Sequence, residues 1–164
     1  MIFGMTTSVF VHVVLSLIGV LSGFVAVFGL LSAKRLDGWT AIFLATTVLT
    51  SVTGFFLPAA HLMPSHIVGI ISLVLLAFAT FALYGRHLSG VWRPIYTVTA
   101  TLALYLNAFV LIVQSFLKVP LLKAWAPTQA EPAFLLAQGA AFLLFLVLTI
   151  LTTAKFRPAR LVVR

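Results

Sequence analysis

Five long apolar runs leave this chain very few ways to fold. They cover 8–32, 39–57, 66–84, 95–117 and 133–154, and so contain 25, 19, 19, 23 and 22 residues. At about 1.5 Å per residue each is roughly 29 to 37 Å long as a helix, enough to cross a hydrocarbon core of about 30 Å. A backbone in lipid must satisfy its own polar groups, which leaves helices and closed barrels. A barrel needs short alternating segments with a polar lumen face, and no such alternation is present. The sequence therefore predicts an all-α membrane protein: one domain over 1–164, a five-helix bundle joined by short connections, with sequential helices as antiparallel neighbours. Composition agrees, with 63% hydrophobic residues, 7% charged residues and no cysteine among 164 residues.

Several landmarks punctuate the runs. Asp37 is placed to N-cap the second helix, with Trp39 just inside it at headgroup level. Pro58 ends that helix and Pro64 precedes the third, while Gly85, Gly90 and Pro94 break the pattern before the fourth. The longest connection, KVPLLKAWAPTQAEP, is expected to lie along the membrane surface. Its end admits two readings: a capping box from Thr128 to Glu131, or, the preferred one, Glu131 as N-cap with Pro132 in the first helical position. The N-terminus carries no basic region or small-residue cleavage pattern, so the first apolar run is expected to persist in the mature chain.

The net charge of +8 does not point to nucleic acid, because the cations stand singly or in pairs beside the apolar runs. They read as topology signals and anionic-lipid contacts. Lys34, Arg35, Arg86, Arg93, Lys155, Arg157, Arg160 and Arg164 fall on one side of the five-span arrangement, and Lys118 and Lys123 on the other. The bias predicts an external N-terminus and a cytoplasmic C-terminus.

In that orientation the polar side chains gather toward the outer half. His12 lies in the first turns of helix 1, Gln114 near the outer end of helix 4, and Asn107 seven residues deeper on the same face. Glu131 and Gln138 repeat this spacing on helix 5. Helix 1 adds a stripe of Ser16, Gly19, Gly23 and Ala26, with a GxxxG that permits close packing, and helix 2 adds Thr47, Thr50, Ser51 and Gly54. If these stripes face inward they surround a polar funnel opening outward, in which His12, Tyr105, Asn107, Gln114, Glu131 and Gln138 would contact a small molecule. The competing reading makes them interhelical hydrogen bonds at about 0.6 kcal/mol each.

Two other readings stay open. His12 with His61 or His66 could ligate a haem or metal, although HLMPSH matches no strong ligand motif. Alternatively the GxxxG and threonine faces bind a second copy or another membrane protein as a structural or regulatory subunit. No catalytic residue is indicated, for the chain has no GxGxxG, Walker, HExxH or GxSxG motif and only two acids, Asp37 and Glu131, predicted on opposite sides. The spans contain no carboxylate or arginine for ion pumping.

The segments LDGWTAIFLATT, SVTGFFLP, ALYLNAFVLIVQSFLKVP and APTQAEPAFLLAQG resemble a family of small uncharacterised bacterial multi-pass integral membrane proteins. The resemblance covers most of the chain. It implies a bacterial cytoplasmic (inner) membrane location and carries no activity with it. Asn107, Gln114, Pro127, Glu131 and Gln138 fall within the recognisable part, and His61 and His66 outside it.

Overall fold

The computed structural model describes residues 6–57 and 64–156, with no side chains described at 64 and 65. All regular structure among the described residues is helical: α1 (Thr7–Leu31), α2 (Asp37–Gly54), α3 (Pro64–Thr80) continued by a π-helical turn (Phe81–Gly85), α4 (Trp92–Lys118), a short α5 (Pro120–Trp125) and α6 (Pro132–Lys155). Four are long and apolar enough to cross a membrane: Thr7–Leu31, His66–Gly85, Trp92–Lys118 and Pro132–Lys155. The fifth long helix, α2, has 18 residues and is the most hydroxyl-rich, with five threonines and a serine.

Contacts fix the directions. His12 meets Thr53 and Gly54, Gly19 meets Thr47 and Gly23 meets Phe43, so numbers fall along α2 as they rise along α1. Ser51 to Ser72 and Phe55 to Gly69 set α2 against α3 in the same antiparallel sense. Thr97 to Thr153, Tyr105 to Phe142 and Phe116 to Phe134 do so for α4 and α6. α4 touches α1, α2, α3 and α6, and its Tyr96, Ala103 and Leu104 form the centre of the core. α6 is the most open of the four long apolar helices. One end of the bundle thus carries His12 and His66, and the opposite end carries Lys34, Arg35, Arg86, Arg93 and Lys155; these are called the histidine and arginine ends below.

Local chemistry moves several boundaries. Asp37 is the first residue of α2 and does not cap it; the cap position is Leu36, without a side-chain bond, and the Asp37 carboxylate pairs with Arg35. A cation two residues away competes better for the carboxylate than the helix amides do. Pro94 does not break the fourth helix, which begins at Trp92. Proline is tolerated in a first turn because the N–H it lacks would have no intrahelical partner there. The third helix opens into a π turn, with Arg86 N–H on the Phe81 carbonyl at 2.9 Å and Leu88 N–H on that of Ala82 at 3.0 Å. α1 ends in a Schellman turn, in which Lys34 N–H reaches the Gly29 carbonyl at 2.9 Å and Ala33 holds a left-handed φ of 54°.

Candidate functional site

The polar residues sort into two seams on opposite faces of α4. The first lies between α1, α2 and α4, in the half of the bundle toward the histidine end. The Ser16 hydroxyl donates to Asn107 Oδ1 at 2.8 Å, and Asn107 Nδ2 donates to the Ser16 carbonyl at 3.4 Å. Gly19 makes this reach possible: a Cβ there would stand 3.0 Å from Asn107 Nδ2, 3.0 Å from Thr47 Oγ1 and 3.2 Å from Thr46 Oγ1. The missing side chain lets two hydroxyls and an amide converge on the α1 backbone.

Most hydroxyls in these helices are spent locally. Thr46, Ser51 and Thr53 each donate to the carbonyl four residues back, at 2.7, 2.9 and 2.7 Å. Thr47 and Thr50, on the same helix, do not: both Oγ1 atoms are buried without a partner, and Thr47 is 1% exposed. An unmade hydrogen bond at a buried group costs about 1–3 kcal/mol. These two hydroxyls lie one turn apart and are oriented away from the bond their neighbours make.

His12 closes the seam toward the histidine end. Its Nδ1 stands 3.0 Å from Thr53 Oγ1, whose own hydrogen is directed to the Leu49 carbonyl. A neutral imidazole there carries its hydrogen on Nδ1, donates it to Thr53, and leaves Nε2 as an acceptor. His66 stacks on Phe55 with ring centroids 5.6 Å apart. His61 lies outside the described residues. Among the described residues no three His, Asp or Glu side chains come together as a metal shell.

The second seam joins α4 to α6. Gln138 Nε2 donates to the Phe109 carbonyl at 3.3 Å, while its Oε1 is buried without a partner. Tyr105 is two residues from Asn107 and therefore on the far face of α4, packed against Phe109, Phe142 and Phe145. Gln114 is half-buried on the Asn107 face, two turns away, with no side-chain hydrogen bond among the described residues. The structure thus brings His12 and Asn107 to one seam and Tyr105 and Gln138 to the other.

Glu131 belongs to neither. It holds the N-cap position of α6 with Pro132 in the first turn, as the preferred reading of the sequence has it, but its carboxylate makes no cap bond. It turns back instead, accepting from the Thr128 N–H at 3.2 Å, the Thr128 hydroxyl at 2.9 Å and the Ala130 N–H at 3.1 Å. Three donors in the preceding turn outcompete those of a helix start that proline has already reduced by one. Desolvation pushes the carboxyl up, but the bonds from the Thr128 hydroxyl and the backbone of residues 128–131 outweigh it and hold the pKa below its ordinary value.

Two participants were invisible in the sequence stripes. Thr53 is the partner of His12, and Ser72 of α3 meets Ser51 at 3.3 Å. The position of Thr53 one turn past Thr50 could have indicated it; a lone serine in an apolar run gives no comparable signal.

Compared with family models, curated proteins and solved structures, the chain matches none.

Proposed function

We propose that this chain is a multi-pass protein of a bacterial cytoplasmic membrane, crossing it with five helices, and that the α1–α2–α4 seam receives a small uncharged hydrogen-bonding molecule from the outer leaflet. The case for the fifth span is its packing. α2 lies antiparallel between α1 and α3, and its 18 residues reach roughly 27 Å, about the thickness of a hydrocarbon core. Its hydropathy is lowered by Asp37 in the first turn and by its hydroxyls, several of which are turned onto its own carbonyls. The excess of cations at the arginine end supports a cytoplasmic C-terminus and an external histidine end.

The observation that carries the binding reading is the Thr47 hydroxyl: buried, unpartnered and, like the Asn107 amide, 3.0 Å from where a Cβ of Gly19 would stand. In a low-dielectric interior a hydrogen-bonding guest recovers the cost of that vacancy and of the one at Thr50. The guest's groups are neutral donors and acceptors, since among the described residues no Lys, Arg, Asp or Glu side chain lines the seam.

The chain has no cysteine, so single-cysteine variants react without background. Thr47→Cys and Thr50→Cys are expected to react with a small polar methanethiosulfonate applied from the outside, and Leu49→Cys, 48% exposed on the lipid side, is expected to resist it. Equal inertness of all three would remove the binding reading. Outside labelling of Arg35→Cys together with Glu131→Cys would remove the five-span orientation.

A further inference from the structure

A groove runs along the bundle surface between α2 and α3 toward the arginine end. Val48, Leu73, Ala77, Phe81, Tyr84 and Gly85 line it, and its volume is about 520 Å³, within the roughly 300–1,000 Å³ typical of small-molecule sites. The lining from Leu73 to Gly85 spans twelve helical steps, roughly 18 Å, or little more than half of a hydrocarbon core of about 30 Å. The groove is as long as one leaflet is deep.

Local structure shapes its mouth. Gly85 closes the π turn, and a Cβ on it would stand 2.9 Å from the Phe81 ring, so the missing side chain lets that ring lie against the backbone. Phe81 in turn meets Trp92 edge-on, with centroids 5.0 Å apart. The next residue, Arg86, places its guanidinium 5.6 Å over the same Trp92 ring. The chain's only two acids are engaged elsewhere, Asp37 with Arg35 and Glu131 in the 128–130 turn. Arg86 therefore stands at the end of an apolar groove, exposed, with no carboxylate partner among the described residues. Lys34 adds a second cation at the same end of the bundle.

We propose that this groove binds one anionic phospholipid, its acyl chain along Leu73 to Gly85 and its phosphate at Arg86. An acyl chain suits a groove that is apolar, one leaflet deep and open to the side. Charge at its mouth then selects the headgroup: a surface cation favours an anionic lipid about fivefold, and a guanidinium held over an indole is already oriented for phosphate. The assignment does not depend on the seam described above or on which face of the membrane the arginine end occupies.

The full chain, purified in mild detergent and given equal amounts of phosphatidylglycerol and phosphatidylcholine with matched acyl chains, is expected to retain one phosphatidylglycerol in native mass spectrometry. Arg86→Gln should lower that preference about fivefold, and Lys123→Gln, at the other end, should leave it unchanged. Ala77→Trp, at an exposed position, should fill the groove and remove the bound lipid of either kind. Equal retention of the two lipids, an Arg86→Gln preference matching the parent, or an equal loss in Lys123→Gln would overturn the assignment. So would a dimer that Ala77→Trp dissociates, for the groove would then hold a second copy of the chain.

Discussion

Replacing Gly23 by alanine tests the packing on which the α1–α2–α4 seam depends. A Cβ at that position would stand 2.5 Å from Leu104 Cδ1 and 2.8 and 3.0 Å from two ring carbons of Phe43. Ordinary carbon contacts lie at about 3.5–4.0 Å, so the overlap is about 1 Å. Neither neighbour can swing aside into open space, because Leu104 is 0% and Phe43 1% exposed. Overpacking of this kind costs about 1–3 kcal/mol, against which alanine gains up to about 1 kcal/mol in helix propensity. Gly139 of α6 supplies the control, since nothing lies within 4 Å of its missing side chain and only the propensity gain applies. The difference between Gly23→Ala and Gly139→Ala cancels propensity and leaves the packing cost, about 1–3 kcal/mol, or roughly 5- to 150-fold in the unfolding equilibrium. Reversible unfolding by dodecyl sulfate in mixed micelles, followed by circular dichroism, measures both variants. Adding Leu104→Val to Gly23→Ala should recover at least about 0.5 kcal/mol beyond additivity. Equal stabilities for the two alanine variants would show that α1 does not pack on α2 and α4 through Gly23.

Other expectations follow from single contacts. A double-mutant cycle over Ser16→Ala and Asn107→Ala should give a coupling of about 0.6 kcal/mol, and no more than about 1.7, in the same unfolding assay; zero coupling would mean that the pair is not formed. Ala33→Gly should stabilise the chain by about 0.5–1 kcal/mol, because glycine takes the left-handed turn after α1 without the strain that alanine bears. The lowered Glu131 pKa means that the 128–131 turn is supported above the ordinary carboxylate range and loses that support as pH falls through the depressed folded value. The amide shifts of Thr128 and Ala130 should therefore titrate with a midpoint below the ordinary glutamate value of 4.5, and a midpoint at or above that value would contradict the hydrogen bonds assigned to the carboxylate.

How much of this was legible in the sequence depends on the range of the interaction. Apolar runs about as long as a hydrocarbon core is thick, or longer, announce four long helices directly. The sequence presents α2 as a span of the same kind, yet Asp37 and the threonines keep it out of the group that is apolar enough by itself, because hydropathy averages side chains without knowing which hydroxyls are turned onto the backbone. The seven-residue spacing correctly put Asn107 and Gln114 on one face of α4. It could not say that α1 covers that face while α6 covers the face of Tyr105, since a helix spacing fixes relative angle and says nothing about which neighbour is met. Capping was misread at Asp37 for a related reason: the cap motif is local, but a cation two residues away competes for the same carboxylate.

The two unpartnered threonines mark where sequence reasoning ends. Thr46, Thr47 and Thr50 are alike in type and sit within five residues of one helix, yet only Thr46 is bonded to its own backbone. Burial cannot be what separates them, since Thr47 is the more enclosed of the adjacent pair. The difference lies in what they face. Gly19 leaves open the position that its Cβ would fill, and both the Thr47 hydroxyl and the Asn107 amide stand 3.0 Å from that position. In lipid, a hydroxyl that forgoes its own carbonyl without another partner loses a bond that no solvent restores. Left unmade, that bond costs about 1–3 kcal/mol, which a guest small enough to enter the seam would offset, and water is the smallest such guest. A reagent that reaches cysteine at Thr47 and Thr50 but not at Leu49 would therefore show a wet seam beside a dry lipid face within one helix.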